Sequence, residues 1–386
     1  MSYRVQVFLD YSELPSRYEA LLGSSGAQFF FYRREWFDFL LRHVYDNAHI
    51  LLLYAVEEAD SGEPLMLVPL RYTQADSAVH RAHTVAALGH LENYAPSCFI
   101  VDPARESERR ELMTCLFRYL RKPQHASQPA KADVVRLWPF EVDSALGDDV
   151  AAALGAAGFW IQRYANSHNT YEDCSNLSFD DYMAKRSSNQ RYNNRRKRRN
   201  LEKEGELEFV MITDDSDTEA FAQAIDDYIL VSVHSWKPVN TTVSSPMIEL
   251  IRIAAKQGSL RLAIMRLDGN PIAAQFWILS EGIASMMRPN YHGAYARLSP
   301  GVVLTSFVIE YLLDTDGADS LDFGYGEDEY KGKWVDSARS YEGLMAFNPA
   351  TPRGVLYGAL HIGGQKIKRR LNGKPVGDPQ PGAVAR

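Results

Sequence analysis

Apolar and polar positions along this chain alternate in short runs, broken by longer amphipathic stretches. Residues 3–9 have the period-two pattern of a half-buried strand. The spacing predicts a helix over 32–45, with Trp36, Phe37, Phe39 and Leu40 available for packing. Continuous apolar runs at 50–56 and 65–72 read as buried strands, joined through a polar hairpin at 58–63. Further strands are expected at 98–101, 134–138 and 159–164, with helices over 106–121 and 150–157. The segment 122–131 is rich in Pro, Ser, Gln and Ala and reads as a mobile loop. The second half repeats a similar order. Residues 180–203 are largely helical, 207–212 a strand, and 217–233 and 245–257 helices. Strands 260–267 and 272–279 form a hairpin across Asp268-Gly269-Asn270, residues that tolerate left-handed backbone. A strand at 284–291, a helix opening at Ser299-Pro300-Gly301 and a strand at 320–324 complete it. The shared order of elements suggests a structural duplication, with a boundary near 165–180.

The Ser299-Pro300-Gly301 stretch is where chemistry is first expected. Pro300 suits a first helical position, Ser299 is a candidate cap, and Gly301 lets a ligand approach the backbone. A helix start carrying free N–H groups, placed just after a strand, is a seat for a phosphate.

Composition sets the class. The chain has 386 residues, 46% hydrophobic and 24% charged, enough for two domains with ordinary cores. A net charge of −7 argues against a protein that coats nucleic acid. Cys98, Cys115 and Cys174 are far apart and show no metal spacing, so no metal and no disulfide framework is expected. The start, Met1-Ser2-Tyr3-Arg4-Val5, has no signal-peptide pattern, and no apolar run reaches the ~18 residues of a spanning helix. The expectation is a cytoplasmic protein, with peripheral contact at the inner membrane surface left open.

Three other stretches carry candidate chemistry. A basic run holds Lys185, Arg186, Arg191, Arg195, Arg196, Lys197, Arg198, Arg199 and Lys203. It suits nucleic-acid phosphates, an anionic lipid surface or plain solvation. Trp236 and Lys237, just after an apolar helix, are placed to bracket a substrate or to close a core. The segment 322–334 is dense in titratable and aromatic groups. Within it Glu327, Asp328 or Glu329 is a proton acceptor in type and Tyr330 a donor. Serine-hydrolase order, His-Glu-x-x-His and a Gly-x-x-x-x-Gly-Lys-Ser/Thr loop are all missing from the sequence.

At these residues the chain resembles the GNAT superfamily, and within it the acyltransferases grouped with CelD-type cellulose-biosynthesis proteins and Fem-type peptidoglycan aminoacyltransferases. The matching pieces run in order: Asn194-Arg195-Arg196-Lys197 to Glu204-Gly205; Ser235-Trp236-Lys237; Gly258-Ser259-Leu260-Arg261-Leu262; Asp268-Gly269-Asn270-Pro271-Ile272-Ala273-Ala274; Ser299-Pro300-Gly301 with Leu304; and Asp322-Phe323-Gly324 with Tyr330-Lys331 and Trp334. They span 180–340. Where the family often has Tyr followed by an acid, this chain has Tyr291-His292.

The resemblance implies an α/β fold of tandem GNAT-like (acyl-CoA N-acyltransferase) domains with mixed central sheets. The expected division is 1–170, an N-terminal lobe; 171–350, the acyltransferase domain; 351–372, a basic helix; and 373–386, a disordered tail. The second lobe would hold acyl-CoA. Its pantetheine would lie along the 284–291 strand at Met287 and Arg288, and its pyrophosphate at Ser299, Pro300, Gly301, Val302 and Val303. Trp236, Lys237, Tyr291, Lys331, Trp334 and Arg195 are the expected substrate-binding residues. Glu327 is the expected base, with His292 behind it, and Tyr330 the acid. The implied activity is transfer of an acetyl or longer acyl group to an amine-bearing small molecule, an amino sugar, a polysaccharide precursor or a long-chain lipid amine. Two rivals stand beside it: an aminoacyl-tRNA-dependent Fem-like enzyme, although the helical-arm insertion of those enzymes is missing, and a non-catalytic module binding an anionic membrane surface.

Overall fold

The computed structural model describes residues 2–24, 28–45, 49–73, 82–88, 98–122, 132–235, 245–326 and 330–363. Of the expected loop at 122–131 all but Lys122, of the expected basic helix at 351–372 the part from 364 on, and the tail at 373–386 lie outside the described residues. The strands are β1 Tyr3–Phe8, β2 His49–Glu58, β3 Pro64–Thr73, β4 Thr84–Ala87, β5 Ile100–Val101, β6 Val134–Glu141, β7 Trp160–Asp173, β8 Leu207–Ile212, β9 Leu260–Leu267, β10 Asn270–Ser280, β11 Ile283–Tyr291, β12 Ser320–Tyr325 and β13 Ser337–Phe347. The α-helices are α1 Glu19–Leu22, α2 Arg34–His43, α3 Arg109–Arg121, α4 Ala145–Ala156, α5 Phe179–Ala184, α6 Ser188–Glu202, α7 Thr218–Val233, α8 Ser245–Lys256, α9 Pro300–Asp314 and α10 Pro352–Gly358.

Two compact units form, Met1–His168 with Arg339–Arg386, and Asn169–Ala338. In the first, β1, β2, β3 and β4 pair antiparallel in turn, β6 pairs parallel to β4, and β13 pairs antiparallel to β6. Leu112, Leu116 and Phe117 of α3 and Val150 and Leu154 of α4 are buried in its core. In the second, β8, β9, β10 and β11 pair antiparallel, β12 pairs parallel to β11, and residues 169–173 of β7 pair antiparallel to β12. Val303, Leu304, Val308, Ile309 and Leu312 of α9 fill its core. Both units thus have four antiparallel strands, a helical crossover and a parallel fifth strand, and both sheets are mixed.

One expectation is corrected. Residues 339–350 do not close the second domain. Strand β13 returns to the first unit, where Tyr341 faces Glu141 and Phe347 faces Val134. Such a pairing joins positions about two hundred residues apart and leaves no local mark in the sequence.

The second unit is tied by a buried ion cluster. The Arg186 guanidinium, its side chain 2% exposed, lies 2.7 Å from Glu172 Oε1 and 2.8 Å from Asp336 Oδ2. These are contacts of charge whose N–H directions miss the oxygens. The same guanidinium stands 4.8 Å from the Tyr182 ring centre. Arg186→Leu strands the buried Glu172 carboxylate, and such a loss costs about 3–5 kcal/mol. A urea titration of the variant should show it, and an unchanged midpoint would remove the cluster from the account of stability.

Candidate active site

The site begins where two strands part. β11 and β12 pair only at Ile283–Ser320, Ala284–Leu321 and Ser285–Asp322. On its other side β12 pairs with β7 from Ser320–Asp173 to Tyr325–Asn169, with a register shift after Asp322. The Asp322 carboxylate sits at that shift. Buried, it accepts from Asn169 Nδ2 at 2.8 Å and from the Gly324 amide at 2.7 Å. Gly324 has φ +72°, which a residue without a side chain adopts freely. On its other flank β11 pairs with β10, but the register slips: Phe276 faces Arg288 and Trp277 faces Met286, so Met287 is left as the bulge residue. The backbone from Met286 to Tyr291 therefore presents an edge that β12 does not cover.

Helix α9 opens next. Pro300 takes the first helical position as expected. Ser299 does not cap it. Its backbone is left-handed, φ 55° and ψ 49°, whereas a capping serine needs extended backbone, and its side chain makes no cap bond. Strain of this kind costs about 1–3 kcal/mol and collects at functional positions. The Val302 N–H donates to Ser299 O at 3.1 Å, and the Gly301 amide has no backbone acceptor among the described residues. Gly301 stays open: an added Cβ would come to 3.4 Å of Tyr291 Cδ1. Thr305 Oγ1 donates to Gly301 O at 2.8 Å and receives from Gln275 Nε2 at 3.4 Å, and Trp277 Nε1 donates to Gln275 Oε1 at 3.2 Å. This buried chain of bonds fixes the first turn of α9 against β10.

A cavity of about 600 Å³ lies here. Its walls are Gln275, the 289–291 end of β11, Ser299, Gly301, Val302 and Thr305 of α9, one face of α6, and Tyr330, Lys333 and Trp334. The turn carrying the last three is held from below. Tyr182 Oη donates to the Trp334 carbonyl and Gln190 Nε2 to the Lys333 carbonyl. Two amide atoms in the walls lack partners: Asn290 Oδ1, on a residue 2% exposed, and Asn194 Nδ2. A buried polar atom without a partner awaits one.

The expected residues sort as follows. Ser299, Gly301, Val302, Tyr291, Trp334 and Tyr330 come together at the cavity. Tyr330 is 39% exposed, and its hydroxyl reaches Met286 Sδ at 4.0 Å, at the parting of the strands. Pro300 and Val303 are buried in the helix base, and Met287 and Arg288 lie on the open strand. Arg195 is a correction: it does not line the cavity, and its Nε donates to Arg191 O along the helix. Arg196 and Lys197 line it instead. Lys331 is another. It is 4% exposed, and its ammonium donates to the carbonyls of Gly324 at 3.4 Å, Tyr325 at 2.5 Å and Gly326 at 3.5 Å. It holds the turn after β12. His292 stands outside the lining. Its ring stacks on His234 at 4.7 Å, and its Nδ1 accepts from the Ala294 amide. Burial, and then the neighbouring His234, pull its pKa below the ordinary imidazole range. Glu327, Trp236 and Lys237 lie outside the described residues.

Sequence reading missed Gln275, Asn290, Thr305 and the Asn189-Asn193-Lys197 stripe. The last was legible as an i, i+4 series on one helix face.

Helix α9 differs at its start from the corresponding helix of the first unit. Its first turn has no acidic residue, whereas its counterpart α3 carries Glu111 there, and Asp149 occupies Arg109 and Arg110 at 2.6 and 2.7 Å.

Residues 188–332 match the family model described as "Acetyltransferase (GNAT) domain". No curated protein sequence matches the chain. Among solved structures, FemX is 12% identical with a TM-score of 0.59, covering 93% of this chain and 100% of its own. L-PGS from Bacillus licheniformis is 12% identical at a TM-score of 0.48, covering 95% and 99%. A tandem GNAT protein from the clavulanic acid biosynthesis pathway is 13% identical at 0.46, covering 91% and 99%. Identities this low speak to fold alone, and the last two scores are too low to argue from. The matched segment is a GNAT acetyltransferase domain, and the chain that carries it is an acyltransferase.

Lys331→Met should leave the carbonyls of Gly324, Tyr325 and Gly326 without their ammonium, at a cost of about 1–3 kcal/mol. Hydrogen exchange at 324–326 should accelerate in the variant. Exchange as slow as in the parent would mean that the turn holds without it.

Proposed function

We propose that the second unit transfers an acyl group from acyl-CoA to an amine. The observation that carries this reading is the stretch of β11 beyond its last pair with β12, running toward a Gly301 amide at the head of α9 that has no backbone acceptor among the described residues. An extended amide-bearing chain suits the first, and a phosphate suits the second. Acyl-CoA has both, and it supplies a thioester carbonyl ready for attack. The cavity residues fit it: a donor-rich helix start, cations on α6 and no acidic side chain among the described residues of the wall.

The protein's own groups then have three tasks. The β11 edge and the first turn of α9 hold the donor. Trp334 and Tyr291 give the acceptor an aromatic wall. Tyr330 holds a proton at Oη for the departing thiolate. A base must free the acceptor amine, and Glu327 is the group we assign to it. His292 is second choice, because its Nδ1 is engaged and it stands outside the cavity lining. The acceptor is an amine on a sugar precursor or a lipid. Among the described residues no helix is long and apolar enough to cross a membrane.

Gly301→Asp puts bulk and negative charge at the proposed pyrophosphate seat and should abolish CoA binding in calorimetry. Gly301→Ala, whose Cβ the site can hold, should bind CoA at a reduced level. Equal binding by parent and Asp variant would move the phosphate elsewhere.

The proton roles separate by pH. Glu327→Gln should lower kcat by roughly 10²–10⁴-fold with CoA affinity little changed. Raising the pH should restore part of that loss, since more amine is then already neutral. Tyr330→Phe should lose rate without that recovery. Full activity of Glu327→Gln across the pH range would transfer the role to another group.

A further inference from the structure

The last described helix of the first unit reverses the usual assignment of an amphipathic helix. α10 and the π-helical turn Ala359–Gly363 that follows it are held to the unit by Tyr357 and Ile362, which pack against Ala82, Val134 and Phe347. The positions pressed closest are glycines. A Cβ at Gly354 would come to 2.1 Å of the Asn348 carbonyl oxygen, and one at Gly358 to 2.8 Å of Trp160 Cε3. Larger apolar side chains are left outside: Val355 is 39% exposed, Leu356 57% and Leu360 63%. With the exposed Ala359 they stand at i, i+1, i+4 and i+5, the spacing of one helix face. Trp160, itself 43% exposed, stands beside Gly358. Single exposed apolar residues are common on any surface, whereas a contiguous set marks a contact.

We propose that this face, Val355, Leu356, Ala359 and Leu360 with Trp160 beside it, docks on an anionic lipid bilayer, the helix lying in the plane of the membrane surface. Charge selects this occupant. Between Glu342 and Asp378 the sequence has six Lys and Arg residues and no Asp or Glu, in a chain whose net charge is −7. Arg353 stands exposed on α10 itself. Lys366, Lys368, Arg369 and Arg370 follow within a few residues of the apolar face, and Lys374 after them. An apolar face alone would suit a protein groove or a second copy of the chain. An apolar face joined to a cluster of cations suits a headgroup layer, where the side chains enter the acyl boundary and the cations meet lipid phosphates. A tryptophan beside such a face is the residue type that settles at that depth. The surface belongs to the first unit, so it stands or falls apart from the acyl-CoA reading of the second.

Vesicle flotation of the full chain tests it. The parent should float with vesicles of phosphatidylcholine and phosphatidylglycerol, and roughly tenfold or more weakly with phosphatidylcholine alone. Leu356→Gln/Leu360→Gln keeps helix propensity on an exposed face, and should bind the anionic vesicles roughly tenfold more weakly with an unchanged urea midpoint. Lys368→Gln/Arg369→Gln/Arg370→Gln should lose roughly 100-fold, and added salt should weaken the parent in the same direction. A second readout uses vesicles with brominated acyl chains, which quench a tryptophan that reaches them. The quenching seen in the parent should vanish in Trp160→Phe. Should the leucine variant lose stability, this comparison decides by itself. A parent that floats with neither vesicle, or a leucine variant of unchanged stability that floats as well as the parent, overturns the proposal. So does quenching that Trp160→Phe leaves intact, since another face then meets the lipid. A loss from Arg195→Gln/Arg198→Gln on α6 as large as that from the 368–370 variant reduces the effect to general charge and overturns it as well. Dimerisation in sedimentation that Leu356→Gln/Leu360→Gln abolishes, without any flotation, gives the face to a second copy instead.

Discussion

The parting of β11 from β12 governs the second unit. A parallel pair inside a sheet would normally satisfy its backbone along its length, and an uncovered stretch is costly unless something else meets it. Here the pairing stops at Ser285 and Asp322. The cause is local and chemical. The carboxylate of Asp322, the last β12 residue paired with β11, gathers Asn169 and the Gly324 amide, while β10 keeps its pairing with β11 on both sides of the bulge at Met287. Trp277 meets Phe323 edge-on at 5.3 Å and keeps the bases of the strands packed as their ends diverge. The opening is thus built by buried groups and sits above a firm floor.

Everything around the opening is then held from elsewhere. The first turn of α9 is fixed by Thr305 and Gln275. The 331–334 turn is fixed by Tyr182, Gln190 and the buried Lys331 ammonium. Most of these groups touch no ligand position, yet each sets where a lining side chain stands. Preorganised donors need no reorganisation when charge arrives, which is the main way a protein stabilises a reacting group.

Much of this was legible in the sequence, and the failures have physical reasons. The strand at 284–291, the Asp268-Gly269-Asn270 hairpin and the helix opening at Pro300 follow from local rules of period, turn and cap, and each forms. Ser299 was misread because residue type sets a capping preference while the preceding 3₁₀ turn, Gly293–Leu298, sets the backbone angle. The inner face of α6 was missed for another reason. Only Leu201 is buried along that helix, so no apolar stripe marks its inner side, and the choice of Lys197 over Arg195 is made by packing on α9. Lys331 was expected to meet substrate; instead three carbonyls converge on its ammonium and bury it. The return of β13 to the first unit is a non-local pairing of the same kind.

The two units share an order of elements, and that makes their difference informative. In both, a helix runs between the fourth antiparallel strand and its parallel neighbour. In the first unit that helix is preceded by a 3₁₀ turn, Pro103–Glu108, and its start is crowded with charge: Arg109 bonds Glu106 and Asp149, Arg110 bonds Asp149, and Glu111 lies in the first turn. An incoming phosphate would meet carboxylates there and would have to displace existing ion pairs. In the second unit the first helical turn has no acidic residue, its Gly301 amide has no backbone acceptor among the described residues, and Arg196 and Lys197 of α6 line the same cavity. A helix dipole alone favours an anion at both starts equally. The side chains differ: those at α3 would oppose an anion, and those in the first turn of α9 would not.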